Sequence, residues 1–444
     1  MPNVTQLKHL EHLEDEMLNY GVEGCKAAVS FLQELRKMLG CDDSTGFMQT
    51  KWDGAPAVVC GKNPKNGLFF VGTKSVFNIE NPKTCYYEEQ IDEYYGDRGD
   101  LARKLKFALK YFSKLDIDGV IQGDLLFTSG DLKTETVHGE RLYTFRPNTI
   151  TYGIPVDHPI GKAAYQAKIG VVFHTHYVGD KLSELQAKGG SLRLKKIAEV
   201  LDVDNDTPMN KVGLNHTEEI NFDTMVASIE SNCKKCGDFL DELVTNTGTT
   251  GDQKWHVASY LKQFFNAEIK AARSISNVDK AFSGLYNFYY DKTKKMLDKI
   301  KTPATRAQKG KLVHDSQNYL RDNQYKFKSM LNLYKELQEI KQFVIDKLDH
   351  LETFRTFAQT ENGYKVTKPE GYVLHKDGDM IKFVNRLEFS YINFTLAKQW
   401  RYSATNVILP LVGFNLLPLD IEITLEVSNV LLEQVNIEFI SHNL

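Results

Sequence analysis

A lysine at position 51 is followed by Trp52, Asp53 and Gly54, where a β-rich run of the chain ends and enters a turn. This position would hold the Lys51 amine at the mouth of a sheet. An amine with an unperturbed pKa of about 10.4 is a poor nucleophile at neutral pH, so nearby cations would have to favour its neutral form. The alternative is an ordinary Asp-Gly turn with a solvated lysine.

Four later positions carry side chains that suit phosphate chemistry, namely Lys74, Asp124, Glu370 and Lys382. Attack on an α-phosphate needs positive charge near the phosphate oxygens, and the two lysines would supply it. It also needs an oxygen-rich site for Mg²⁺, for which Asp124 and Glu370 offer carboxylates. Each acid has a simpler interpretation: Asp124 as a strand-end aspartate, and Glu370 as a solvated side chain in a Pro-Glu-Gly turn.

Taken in order, these positions resemble the motifs of the covalent nucleotidyltransferase superfamily, which contains ATP-dependent RNA and DNA ligases and mRNA capping enzymes. Lys51 matches the lysine of a K-x-D-G motif, and Asp124 matches a later acidic strand motif. Glu370 matches an E-G-x-V motif, and Lys382 matches the lysine of a final strand. Thr73-Lys74 resembles a basic motif of phage RNA ligases.

The segment from Ile169 to Phe173 looks like the superfamily strand whose aromatic residue stacks on the base, which assigns that role to Phe173. The resemblance covers roughly residues 45–180 and 362–390. Residues 142–154 and 174–176 also resemble large phage proteins of an uncharacterised family.

The chain departs from the superfamily pattern at three points. Asp124 stands where glutamate is usual, and Val384 stands where a second lysine is usual, with Arg386 as a substitute for the missing charge. The interval between Asp124 and Glu370 is 370 − 124 = 246 positions, so an insertion is required.

The resemblance implies an α+β fold in which an antiparallel-sheet nucleotidyltransferase core, like that of ATP-grasp ligases, is interrupted by a large helical insertion. It implies ATP and Mg²⁺ as cofactors and polynucleotide ligation through a lysyl-AMP intermediate. The resemblance implies that Lys51 and Lys382 are the catalytic lysines and that Asp124 and Glu370 are the metal ligands. The further nucleotide contacts that it implies are Asp53, Gly54, Lys74, Phe173 and Glu370.

RNA is favoured over DNA because only 444 − 382 = 62 residues follow Lys382 and no basic motif of an OB domain is visible among them. An mRNA capping guanylyltransferase or a DNA ligase is the alternative within the class. A catalytically inactive protein that binds nucleic acid or takes part in viral assembly is the alternative from another class.

A basic segment, residues 292–328, carries eleven lysines and arginines against three aspartates. Tyr319, Tyr325 and Phe327 lie among these charges, a composition typical of a surface that follows phosphates and stacks on bases. The nucleic-acid contacts expected on this segment are Lys309, Lys311, Lys326 and Lys328. The alternative is a solvated helix face with core aromatics.

Three weaker patterns are interpreted structurally. Cys233 and Cys236 have zinc-ligand spacing but lack a second pair, so free thiols are expected. His174 and His176 are expected to share one face of a strand as a structural pair. His9 and His12 would lie on one face of a helix at the surface.

The elements that must position these residues divide the chain into five parts. Helical periodicity predicts two N-terminal helices joined near Gly21 and Gly24, followed by short strands, a mostly helical stretch and a return to strands. The expected parts are the N-terminal helices 1–40, the first core part 41–181, the helical insertion 182–360, the closing strands 361–402, and a C-terminal segment 403–444 of no assigned structure.

The composition limits the possible classes of protein. The 444 residues are 42% hydrophobic, which suits a globular fold, and the net charge of −3 gives no global attraction for nucleic acid. The longest apolar stretch is broken by Pro410 and Pro418 and is too short to span a bilayer. We therefore expect a cytoplasmic protein, in the host cytoplasm if viral, with reduced cysteines and no membrane partner. The expected partner is nucleic acid, which follows from the resemblance and from the basic segment.

Overall fold

The computed structural model describes residues 11–40, 42–189, 192, 194–244, 253–351, 354–360, 363–368 and 370–387. Its helices are α1 Glu16–Gly40, α2 Glu88–Tyr95, α3 Gly99–Phe112, α4 Pro159–Gln166, α5 His216–Cys236, α6 Asp238–Val244, α7 Gln253–Lys270, α8 Val278–Asp298, α9 Pro303–Asp322 and α10 Gln324–Leu348. None of the helices within these ranges is long and apolar enough to cross a membrane.

The strands between these helices are short. They are β1 Glu11–His12, β2 Phe47–Lys51, β3 Ala57–Lys62, β4 Phe69–Gly72, β5 Val120–Thr128, β6 Lys133–Val137, β7 Glu140–Phe145, β8 Ile150–Pro155, β9 Ile169–Val178, β10 Gln186–Gly189, β11 Val200–Asp202, β12 Arg355–Thr360, β13 Gly363–Val366, β14 Gly371–Lys376 and β15 Asp379–Val384.

These strands form three sheets. Sheet A has the order β1-β15-β14-β2, and sheet B has the order β10-β9-β5-β3-β4 with β11 also paired to β9. Sheet C has the order β13-β12-β8-β7-β6. All pairs are antiparallel except β1 with β15 and β11 with β9. The expected α+β class with antiparallel sheets is confirmed at this level, and sheets A and C each join strands from before residue 156 to strands from after residue 354.

The helical stretch is shorter than expected at both ends. The sequence predicts helix from residue 182, but β10 and β11 lie there and complete the hydrogen bonding of β9. At the other end, Arg355–Thr360 is β12 and pairs with β8. The local composition favours helix in these segments. They form strands because the backbones of β8 and β9 need hydrogen-bond partners, which these segments supply.

One hydrophobic core unites helix α1, helices α5 to α10 and one face of sheet A. The buried residues of sheet A in this core are Met48, Tyr372, Leu374, Ile381 and Phe383, and they pack with helical side chains such as Phe327. The helices are therefore not a separate unit: they cover sheet A directly.

Helix α1 contains the break that the sequence places near Gly21. Gly21 has φ 62° and ψ −131°, a conformation that favours glycine. Asp241 of α6 accepts a hydrogen bond of 2.9 Å from the backbone N–H of Val22, just past the break. The kink thus lets α6 cap the second half of α1.

The opposite face of sheet A faces sheet B near Lys51, whose charge interacts with that of Asp124 in β5. We call the space between the two sheets at this point the cleft. Directly paired residues of neighbouring strands lie on the same face, and the register aligns Gln49 with Val373, Val373 with Lys382, and Lys382 with His12. Lys51 is two residues from Gln49 and so shares this face. The two sheets are also joined by a bridge between Gln49 and Asp206, after β11.

Candidate functional site

Lys51 and Glu370 form an ion pair in the cleft. Lys51 ends β2, Glu370 directly precedes β14, and the register pairs Lys51 with Gly371. The Lys51 Nζ and Glu370 Oε1 atoms lie 2.6 Å apart, with 26% and 13% of the two side chains exposed. Gly371 has φ 149°, and a Cβ there would lie 2.4 Å from the carbonyl oxygen of Phe383, so only glycine permits this close approach.

Asp124 reaches the same place from the other sheet. It lies in β5 opposite Ala57 of β3, at the point where the turn after Lys51 enters sheet B. A Cβ on Gly54 would lie 2.5 Å from the Asp124 Cβ, so the glycine at position 54 allows the turn and β5 to touch. Asp124 thus belongs to sheet B, whereas Glu370 directly precedes β14 of sheet A, and their charges interact across the cleft.

Charge couples these groups to one another. Burial lowers the pKa of Lys51, but its ion pair with Glu370 and the charges of Asp124 and Asp53 outweigh burial and raise this pKa. Burial raises the pKa of Glu370, against the influence of Lys51. The raised pKa means that the Lys51 amine is the protonated partner of the pair in this structure, and a neutral amine at Lys51 stays a prediction.

Lys382 lies on the cleft face of β15. Burial lowers its pKa, and the nearby charge of Lys51 lowers it further, while Glu370 acts in the opposite direction. The two lysines are thus close enough to repel each other, as the sequence expected of residues that share a phosphate-binding site. Lys382 is the side chain whose charge can oppose the ammonium form of Lys51.

Asp53 supports the turn and does not point to a ligand. Its carboxylate accepts hydrogen bonds from the Asn148 side chain at 2.7 Å, from the backbone N–H groups of Thr149 and Ile150 at 2.7 and 2.8 Å, and from the Thr149 hydroxyl. Its own backbone N–H donates to the Tyr152 hydroxyl at 2.8 Å. With its carboxylate saturated and 5% of the residue exposed, Asp53 positions Lys51, which corrects its expected role as a nucleotide contact.

A β-bulge places His174 beside Asp124. The register of β5 and β9 shifts between Gln122 and Gly123, which leaves His174 as an additional residue of β9. The His174 Nε2 atom then lies 3.7 Å from Asp124 Oδ2. Because the bulge interrupts the alternation of β9, the expectation that His174 and His176 share one face does not hold.

Phe173 lies in the core on the other side of sheet B. It is 4% exposed and packs edge to face against Phe112 of α3, with 5.2 Å between the ring centroids. The predicted stacking of Phe173 on a base is therefore wrong in this arrangement, because strand alternation turns the ring away from Asp124. Lys74 is exposed at the start of a short 3₁₀ helix, Lys74–Phe77, and its nucleotide contact stays a prediction.

The four lysines of the basic segment that are expected to contact nucleic acid lie on α9 and α10. Lys311 pairs with Asp315 at 3.1 Å, Lys328 pairs with Asp279 at 2.7 Å, and Lys326 lies over the ring of Phe239. Tyr319 and Phe327 are buried in the helical core, whereas 64% of Tyr325 is exposed. Base stacking by Tyr319 and Phe327 is therefore wrong, since their rings fill the core.

The residues present allow an Mg²⁺ ion only in a limited way. No group of three or more His, Cys, Asp or Glu side chains that could hold a metal occurs in the described part of the chain. Mg²⁺ is often bound by one or two carboxylates together with substrate phosphates. Asp124, whose side chain is 22% exposed, fits that requirement, while Glu370 is engaged with Lys51.

Cys233 and Cys236 form no disulfide with a described residue. Two other expectations were wrong. His12 was expected on a helix surface but lies in β1 opposite Lys382. Arg386 was expected to supply charge to the site but binds Asp15, at 3.1 Å. The predictions for His9 and for residues 403–444 lie outside the described residues. No local pattern indicates β1, which exists only through its pairing with β15.

Comparison with known proteins gives one result. Neither the curated proteins nor the solved structures contain a significant match to this chain. One family model, described as "Family of unknown function (DUF6267)", matches residues 3–398. Because that match spans most of the 444 residues, the chain belongs to the DUF6267 family.

Proposed function

We propose that this protein is a covalent nucleotidyltransferase that forms a lysyl-AMP at Lys51 from ATP and uses it to join polynucleotide ends, RNA in preference to DNA. The observation that carries the proposal is the convergence of Lys51, Glu370, Asp124 and Lys382 in one cleft. These residues come from four separate segments, and all four were singled out by their motifs.

The first step begins with the proton of the Lys51 ammonium. Glu370 lies 2.6 Å from Nζ, and burial raises its pKa, so it is the nearest group able to accept that proton. The positive charge of Lys382 favours the neutral amine. Nζ then attacks the α-phosphorus of ATP, an N–P bond forms, the bond from that phosphorus to the α,β-bridging oxygen breaks, and pyrophosphate leaves with the electron pair.

Two later steps complete the ligation. An oxygen of the polynucleotide 5′-phosphate attacks the phosphorus of the lysyl-AMP, and the Lys51 nitrogen leaves and takes up a proton. A 3′-hydroxyl then attacks the activated 5′-phosphate, loses its proton and displaces AMP. When bound, Mg²⁺ would neutralise phosphate charge, with Asp124 as its protein ligand. Asp53 and Gly54 keep the turn in place during these steps.

Incubation with α-³²P-labelled ATP and Mg²⁺, followed by denaturing electrophoresis, tests the proposal. Wild-type protein should carry acid-labile label, and Lys51→Ala should carry none. Lys65→Ala is the matched control, because Lys65 is exposed in the turn between β3 and β4. Label from GTP in place of ATP would favour a guanylyltransferase, and sealing of nicked DNA but not RNA would favour a DNA ligase.

The ion pair between Lys51 and Glu370 favours a second candidate function, which is binding without catalysis. Because Lys51 is held protonated by Glu370, a protein with this cleft could bind nucleic acid or other viral proteins without transferring a nucleotide. Absence of label with either nucleotide, together with retained strand binding, would support this alternative over the enzyme.

A further inference from the structure

The strand β1 brings His12 into the cleft. Its described residues are Glu11 and His12, which lie parallel to β15 opposite Ile381 and Lys382. In a parallel pair these neighbours share a face, so His12 lies beside Lys382 on the cleft side of sheet A. Two paired residues make few hydrogen bonds at a sheet edge, so the buried contacts of the residues that follow them help to set their position.

The residues that fix β1 form a buried ionic clamp, made of Glu14, Asp15, Lys341 and Arg386. Lys341 of α10 donates to both carboxylate oxygens of Glu14 at 2.6 and 2.7 Å, and both side chains are almost fully buried. Arg386, just past β15, donates to both oxygens of Asp15 at 3.1 and 3.2 Å. Glu14 and Asp15 lie in the 3₁₀ helix directly after His12, so the clamp sets the position of His12.

The imidazole of His12 has an unused nitrogen. Its Nδ1 atom is buried and has no hydrogen-bond partner among the described residues. Burial, and then the charges of Lys341, Lys382, Arg386 and Lys51, lower the pKa of His12 well below its usual value, so the ring is neutral. A buried polar atom without a partner is unfavourable, and the neighbouring Lys382, which forms no ion pair with a described residue, would attract an anion to it.

We propose that His12 is a third phosphate-contacting side chain of the nucleotide site, beside Lys51 and Lys382, and that the clamp holds it there. The inference rests on the proposed function, since the ligand is the polyphosphate of a nucleoside triphosphate. A neutral imidazole donates one N–H to a phosphate oxygen without adding a further cation to the two lysines. This role was not visible in the sequence, where His12 is a histidine within a charged N-terminal stretch.

Binding of α,β-methylene-ATP to the full chain tests the inference, because its α,β-bridging carbon prevents transfer to Lys51. His12→Ala should raise the Kd about tenfold, as expected for a lost hydrogen bond to a charged group. His12→Gln retains a side-chain N–H donor and should raise the Kd less. His216→Ala is the matched control, because His216 lies on α5 with 87% of its side chain exposed, and it should leave the Kd unchanged.

A second measurement separates contact from structural support. In a protein with ¹⁵N-labelled histidine, the His12 signal, assigned by its loss in His12→Gln, should shift when the analogue binds. The same analogue should leave the His216 signal in place. An unshifted His12 signal, or an unchanged Kd in a folded His12→Ala variant, would overturn the inference while wild-type labelling at Lys51 continued to support the proposed function. A wild-type protein that neither binds the analogue nor accepts label would overturn both.

Discussion

Two regions of the molecule gather the same kinds of charge and use them differently. The ionic clamp and the cleft each contain two acids and two bases, which are Glu14, Asp15, Lys341 and Arg386 in the clamp and Asp124, Glu370, Lys51 and Lys382 in the cleft. In the clamp every carboxylate has a cation, and no side chain is more than 13% exposed. In the cleft Lys382 forms no ion pair with a described residue.

The difference teaches how to tell a structural network from a binding site. A buried pair whose partners satisfy each other fixes the geometry of the chain and has no capacity left for a ligand. The cleft keeps Asp124 22% exposed, at 3.7 Å from an imidazole, and keeps Lys382 near Lys51. Under the proposed function, phosphate and a divalent cation would complete these charges. Substitutions in the cleft should therefore change chemistry, and those in the clamp should change stability.

The largest effect is expected at Lys51. Lys51→Ala should lower self-adenylation by more than about 1,000-fold, because no other amine replaces the nucleophile. Lys51→Arg should be equally inactive, since a guanidinium with a pKa above about 12 stays protonated. The free energy of unfolding in urea should fall by about 1–2 kcal/mol, less than in a clamp variant, because 26% of the Lys51 side chain is exposed against 4% of Lys341. Label on either variant, or a stability loss as large as that of a clamp variant, would contradict the division between the two regions.

The clamp should show the reverse behaviour. Lys341→Met should lower the free energy of unfolding by about 3–5 kcal/mol, because it leaves the buried Glu14 with only the more distant Arg386, at 3.9 Å. Adding Glu14→Leu should recover part of that loss, since no unpaired charge remains. Lys335→Met, on the same helix, removes a more exposed pair with Glu339 and should cost less than about 0.5 kcal/mol. Equal losses in the two lysine variants by chemical denaturation would show that burial does not distinguish them.

The sequence predicted the parts of the molecule that repeat a local pattern or carry a motif. Lys51, Asp124, Glu370 and Lys382 were named from their motifs, and their convergence in one cleft is observed. The α+β class followed from helical and strand periodicity. The transferase identity of this arrangement stays a proposal.

The features that the sequence did not predict depend on long-range pairing. The edge strand β1 exists only because β15 lies beside it, so His12 was placed on a helix. The face of sheet B on which the Phe173 ring lies depends on the alternation of side chains along β9. A shift of one residue in the strand register would move the ring to the other face. The clamp joins Glu14 to Lys341, 341 − 14 = 327 positions apart, and no local pattern encodes such a contact.

The basic segment is a third kind of charged region, and its effect should be smaller. Replacing Lys309, Lys311, Lys326 and Lys328 by glutamate should weaken binding of a single strand and reduce its salt slope by up to about 3, at about 0.7 per phosphate contact. Self-adenylation should persist because these residues lie on α9 and α10, outside the cleft. The matched control reverses four lysines in sheet B and around α4, Lys62, Lys65, Lys162 and Lys168. An equal change in both quadruple variants would mean that the basic segment is a solvated helix face and not a nucleic-acid-binding surface.

The smallest effect tests whether a buried carboxylate in this protein needs a cation as its partner. Glu34 of α1 accepts hydrogen bonds from the backbone N–H groups of Thr45 and Gly46, at 2.8 and 2.9 Å, and from the Ser44 hydroxyl at 2.8 Å. Burial raises the pKa of Glu34, but these hydrogen bonds, and the weaker effect of Lys37, outweigh it and lower the pKa to about 2. Glu34 is therefore satisfied mainly by neutral donors, unlike the carboxylates of the clamp.

This depressed pKa gives a defined dependence of stability on pH. A carboxylate with a lowered folded-state pKa stabilises the protein above its ordinary pKa of 4.5, and the contribution is lost as the pH falls toward about 2. Glu34→Gln should therefore be less stable than wild type by about 1–2 kcal/mol at pH 7, and the difference should be smaller at pH 3. Lys37→Ala should change stability by less than about 0.5 kcal/mol at either pH, because that pair is largely exposed on the lysine side. Urea unfolding at the two pH values measures both variants. A difference for Glu34→Gln that stays constant down to pH 3, or that Lys37→Ala reproduces, would mean that the backbone donors do not hold this charge, and that a buried carboxylate in this fold depends on a cation as those of the clamp do.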